Sequence, residues 1–77
     1  MVHAYVLVQT DVGKAAAVVT AMVDIDGVTR AEAVTGPYDV IVQTQAEDVD
    51  SLGKLVVAKV QAIPGITRTL TCPVITF

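Results

Sequence analysis

Apolar and polar residues alternate along the start of the chain, with Val2, Ala4, Val6 and Val8 on one side and His3, Tyr5, Leu7 and Gln9 on the other. A period of two is the mark of a strand. Thr10-Asp11-Val12-Gly13 supplies a turn, with Thr10 or Asp11 placed to cap a following helix. From Lys14 to Ile25 the period changes: Val18, Met22 and Ile25 recur at i, i+4 and i+7, and Val19 and Val23 widen the stripe. This predicts a helix with one buried side, ended by Asp26-Gly27, where glycine suits the left-handed cap.

A second strand is predicted over Val28 to Thr35, and its Arg30 and Glu32 point to an edge or exposed position. Gly36-Pro37 is the sharpest turn signal in the chain, because glycine accepts positive φ and proline fixes its own φ. Tyr38 to Gln45 then reads as a third strand, hairpinned to the second, with Val40 and Val42 on one face and Ile41 on the other. On residue physics alone Asp39 is expected to bond its own backbone in a tight turn.

Ala46 to Ser51 is an acidic opening to a second helix, which places negative charge where a helix N-terminus favours it. Leu52, Leu55, Val56, Lys59, Val60 and Ile63 follow at helical spacing, with Gly53 unexplained inside them, and Pro64-Gly65 stops the run. Ile66 to Phe77 is the last strand, with Ile66, Leu70, Cys72 and Val74 on one face and Thr67, Thr69 and Thr71 on the other, interrupted by Pro73.

The order strand, helix, strand, strand, helix, strand is the ferredoxin-like α+β arrangement. Right-handed crossovers put both helices on one face of a four-stranded antiparallel sheet. The other face is left bare, yet Tyr5, Leu7 and Ile41 lie on it. A solvated sheet face reads as polar, so this apolar one predicts a second copy packed sheet to sheet, a dimeric α+β barrel.

Composition adds to that picture. At 77 residues the chain is near the size at which one core just suffices, and 53% of its residues are apolar, more than a core so small can hide. Eight acidic residues against five scattered basic ones leave no phosphate-binding stripe, which argues against direct nucleic-acid contact. The N-terminal apolar run breaks at Gln9-Thr10-Asp11, too short for a signal peptide or a membrane span. A single cysteine, Cys72, fits the reducing cytoplasm.

Motifs for catalysis do not arise from these residues. His3 is the lone histidine, Ser51 the lone serine, and no metal-ligand spacing or glycine-rich phosphate loop occurs. Asp48 and Asp50 read as helix capping rather than an acid/base pair, and Cys72 as a small hydrophobe. The expectation is a non-catalytic module without metal or cofactor.

Four segments carry a family resemblance: Ala4-Tyr5-Val6-Leu7-Val8, Val34-Thr35-Gly36-Pro37-Tyr38-Asp39-Val40-Ile41-Val42, Leu52-Gly53-Lys54-Leu55-Val56 and Ile63-Pro64-Gly65-Ile66-Thr67-Arg68-Thr69. Together they span nearly the whole chain, which resembles the ligand-binding (RAM) domain of Lrp/AsnC transcription regulators. The resemblance implies dimers that assemble into octameric or decameric rings, and small effectors, typically amino acids, bound between dimers. By analogy Gly36, Pro37, Tyr38 and Asp39 make the effector site, the Gly36 backbone and Asp39 carboxylate taking the charged ends and Tyr38 walling the pocket. Thr69 and Thr71 are expected to add hydroxyl contacts. The resemblance carries no helix-turn-helix, so it implies a stand-alone form that senses effectors or co-assembles with a full-length regulator. Two alternatives share the element order. One is a small dimeric α+β barrel enzyme of the monooxygenase or isomerase kind; such cavities usually use histidine, tryptophan or asparagine, and the chain has neither of the last two. The other is an ACT-like amino-acid module, whose subunits pair side by side along a continuous sheet.

Overall fold

Residues 1–76 are described by the computed structural model, which forms β1 (Val2–Thr10), α1 (Ala15–Met22), β2 (Val28–Ala33), β3 (Val40–Ala46), α2 (Val49–Lys54) and β4 (Ile66–Pro73). The strands make one antiparallel sheet in the order β2-β3-β1-β4, the ferredoxin-like arrangement. Helix α2 continues without a break into a π-helical stretch, Leu55–Val60, closed by Gln61 N–H donating to Val56 O at 2.9 Å.

The alternation in β1 and β3 is realised directly. Ala4, Val6, Val8, Val40 and Val42 are at most 2% exposed, and with Val18, Met22, Val56 and Val60 they form the core between both helices and one sheet face. Thr44 is buried among them because its Oγ1 donates to Ala4 O at 3.0 Å, which satisfies an otherwise costly hydroxyl. The opposite face carries two cross-strand rows. Glu32, Ile41, Leu7 and Leu70 make one, and Arg30, Gln43, Tyr5 and Cys72 the other. At the middle of the face the β1 and β4 positions are therefore apolar, with Tyr5 44% and Leu70 45% exposed, and His3, Gln9 and Arg68 flank them. Its β2 half is charged and holds an Arg30–Glu32 ion pair.

Several details depart from the sequence reading. β3 begins at Val40 rather than Tyr38, and β2 ends at Ala33. No side chain caps α1: Lys14 holds the cap position, and Thr10 spends its amide elsewhere. Val23 ends the helix on the exposed side rather than widening its apolar stripe. The acidic opening of the second helix is as read, with Asp48 Oδ1 accepting from Ser51 N–H at 2.7 Å. Lys59 is exposed rather than laid along the stripe. Ile66 packs on the core instead of sharing a face with Leu70, because a register shift between Gln9 and Thr10 inserts an extra residue into β4. β4 ends at Pro73, and Phe77 lies outside the described residues.

Gly27 shows why the α1–β2 turn needs glycine. Its φ is +96°, and a Cβ there would stand 2.9 Å from Leu55 Cδ2 and 3.1 Å from Gln45 O, so the second helix closes directly over backbone.

Candidate effector site at the turn between β2 and β3

The connection 34–39 is tied to the end of β1 by bonds from two of its residues and closed by a third. Asp39 N–H donates to Val8 O at 2.9 Å, and Asp39 Oδ2 accepts from Thr10 N–H at 2.8 Å. Gln9 Nε2 donates to Pro37 O at 2.9 Å. Val34 N–H donates to Asp39 O at 2.9 Å and closes the turn on itself. These bonds hold the turn in one shape, as a preorganised binding element requires.

Asp39 therefore differs from its local expectation. Its carboxylate does not cap its own turn; it reaches an amide 29 positions away and terminates β1. The peptide at Thr10 sits where the β1–β4 register shifts, and the half-buried carboxylate satisfies a donor that the disturbed ladder leaves over. Oδ1 makes no bond to the protein among the described residues. Gln9 was not singled out by the sequence reading; its only signal was its position as the last polar residue on the bare-face side of the first strand.

Gly36 has φ +136°, and nothing stands within 4 Å of where its Cβ would be. That backbone is open on one side, and an L side chain would be strained there. Pro37 beside it is exposed, and Tyr38 is half-buried.

The other two predicted contacts lie apart in a single copy. Thr69 and Thr71 pair with Val8 and Val6 and so face the helices. Thr69 Oγ1 accepts from Gln61 Nε2 at 2.9 Å, and Thr71 lines a cleft beside the second helix. Four clefts of about 220 to 340 Å³ open on the surface, and none of these four is lined by residues 36–39. One of about 290 Å³, lined by Gln61, Ile66, Thr67, Arg68 and Thr69, is at the same end of the sheet as the turn, since Ile66 and Arg68 pair with Thr10 and Gln9. Among the described residues no group of His, Cys, Asp and Glu side chains could hold a metal ion.

Comparison with known proteins identifies what this turn belongs to. The family model described as the Lrp/AsnC ligand binding domain matches residues 3–76. The chain belongs to the Lrp/AsnC ligand-binding domain family. In this family the domain is regulatory rather than enzymatic. TTHA0845 from Thermus thermophilus is similar over 100% of this chain and 96% of its own, at 27% identity and a TM-score of 0.93. Hypothetical protein PHS023 from Pyrococcus horikoshii is similar over 100% of this chain and 93% of its own, at 30% identity and a TM-score of 0.91. Transcriptional regulator NMB0573 from Neisseria meningitidis, in its complex with L-Met, is similar over 97% of this chain and 50% of its own. At 18% identity and a TM-score of 0.84, that likeness shows the fold alone. No curated protein sequence matches this Lrp/AsnC domain. No helix among its described residues is long and apolar enough to cross a membrane.

Proposed function

We propose that the 77 residues act as one cytoplasmic, oligomeric module that binds an amino acid or a related small metabolite and serves transcription regulation without touching DNA or catalysing a reaction. The observation that carries this reading is the cross-tied turn. Asp39 and Gln9 hold it rigid while the Gly36 backbone stays open, in a chain whose family is effector-binding and regulatory. In this reading the effector's ammonium group meets Asp39 Oδ1, its carboxylate meets the Gly36–Pro37 backbone, and Tyr38 closes one wall. Thr69 and Thr71 join the site through β4 of a neighbouring copy, because one copy does not bring them to the turn. The L-Met complex of the Neisseria regulator lends the amino-acid class its support.

A second copy also covers the open face of the sheet. Tyr5, Leu7 and Ile41, joined by Leu70, form the contact, with the polar side of the face at its rim, and two sheets close into the dimeric barrel. Rings of such dimers, octameric or decameric, and mixed assemblies with a full-length regulator follow in this reading. Against DNA contact stand the net charge of −3 and the pairing of Arg30 with Glu32, which leave no basic stripe.

Thermal shift against the twenty amino acids tests the proposal. A true effector at a hundredfold excess over its Kd stabilises by about 2.7 kcal/mol, and Asp39→Ala abolishes the shift. No shift with any amino acid, at unchanged assembly size, removes the sensing role.

A further inference from the structure

The end of the sheet opposite the turn carries a cleft of about 300 Å³. β3 runs from Val40 beside the turn to Ala46 in this cleft, so the two places lie roughly 20 Å apart at about 3.3 Å per strand residue. Gly27, Ala46, Leu55 and Ala58 supply its apolar lining.

Backbone fixes that lining. Gln45 N–H donates to Gly27 O at 2.8 Å, which ties the α1–β2 turn to the end of β3. Leu55 Cδ2 stands 2.9 Å from where a Cβ of Gly27 would be, so the second helix lies close over the tie.

Four charged side chains border the lining, two of each sign. Asp26 and Glu47 come from the segments flanking β2 and β3, and Lys54 and Lys59 from the second helix. Winding puts both lysines on one cleft. Five residues of α-helix turn through about 500°, which would set Lys54 and Lys59 about 140° apart. The π-helical stretch Leu55–Val60 bonds i to i+5 instead, and it returns each residue nearly over the one five before it. The two signs do not meet across the cleft: among the described residues none of the four is in an ion pair.

A ligand that satisfies both walls carries an ammonium group and a carboxylate at opposite ends of an apolar body. An α-amino acid does not, because both its charges sit at one carbon and reach one wall. We propose that this cleft binds an ω-amino acid, a linear zwitterion with several methylene groups between its charges. Its carboxylate meets Lys54 and Lys59, its ammonium group meets Asp26 and Glu47, and its methylenes cover Leu55 and Ala58. At each end the ligand sets an opposite charge between two like ones. The site shares no residue with the turn and stands whether or not the turn holds an effector.

Calorimetric titration of the full chain with 5-aminopentanoate tests it. Saturable binding is expected, with pentanoate and pentylamine, which each lack one charge, weaker by about ten-fold or more. Lys54→Gln combined with Lys59→Gln, both at exposed positions, leaves circular dichroism native and weakens 5-aminopentanoate by about ten-fold or more. The amides of Gly27, Ala46 and Ala58 report on this cleft in a parallel NMR titration, which separates it from an amino acid held at the turn. They are expected to shift with 5-aminopentanoate and not with 2-aminopentanoate, the same atoms with the charges adjacent. Absence of saturable binding overturns the proposal, as do equal affinity for pentanoate or pentylamine, unchanged affinity in the double variant, and shifts gathered at residues 34–39 instead.

Discussion

The two faces of the sheet are built from the same strands and end differently. β1 and β3 present Val6, Val8, Val40 and Val42 to the helices, all fully buried. One residue along, the same strands present Tyr5, Leu7 and Ile41 to the other side, where Tyr5 remains 44% exposed. The difference is supply. Two helices of this length cover one face of a four-stranded sheet and no more, while β1 and β3 carry large apolar residues toward both. The contrast teaches that excess hydrophobicity in a small chain is laid out in space, as rows across neighbouring strands, rather than scattered.

Breaking the covered face has the largest effect on folding. Met22→Ala removes a fully buried side chain from the centre of the core and is expected to cost about 2–5 kcal/mol in urea unfolding. On the open face Leu7→Ala, measured at a concentration low enough to keep copies apart, costs much less. Equal losses at the two sites erase the distinction between the faces.

Asp39→Ala comes next. It strips the Thr10 amide of a charged, half-buried acceptor, a loss of about 1.5–3 kcal/mol in chemical denaturation. Asp39→Asn keeps a neutral acceptor and loses less. Hydrogen exchange at Thr10 reads the same bond locally, and protection unchanged in Asp39→Ala contradicts the assignment.

The smallest effect concerns Asp48. The Ser51 backbone N–H, then the Ser51 side chain, hold its carboxyl below the ordinary value of 3.8. A carboxyl depressed in the folded state contributes stability that is present above its unfolded pKa and is lost as pH falls through the folded one. Wild type therefore loses slightly more stability than Asp48→Ala on acidification below about pH 4. Parallel melting curves across that range dismiss the cap. Asp48 is fully exposed, so the difference is small.

Element order, sheet faces and the helix cap at Asp48 were legible in the sequence because they depend on local periodicity and on one side chain near its own backbone. What escaped depends on partners far along the chain. Ile66 changed face because of a register shift beside Gln9, which no pattern within β4 announces. Residue physics alone predicts a local cap at Asp39, whose carboxylate is bonded instead to the Thr10 amide of β1, since turn propensity is blind to a donor 29 residues away. The π-helical stretch escaped too; its i, i+4 rows at Leu52, Val56 and Val60 resemble an ordinary amphipathic helix until the Gln61 to Val56 bond is seen. Only the turn signal of Gly36-Pro37 was local; the effector roles of Gly36, Pro37, Tyr38 and Asp39 come from the family resemblance, as do those of Thr69 and Thr71, which in a single copy lie on the helix side of β4.

Closure of the open face by a second copy is the central claim. Sedimentation velocity of the wild-type chain and of Leu7→Asp at micromolar concentration tests that most directly. The wild type is expected as a dimer or larger, with Leu7→Asp folded but at least about two-fold lighter; a wild-type monomer, or two chains of identical mass, contradicts it.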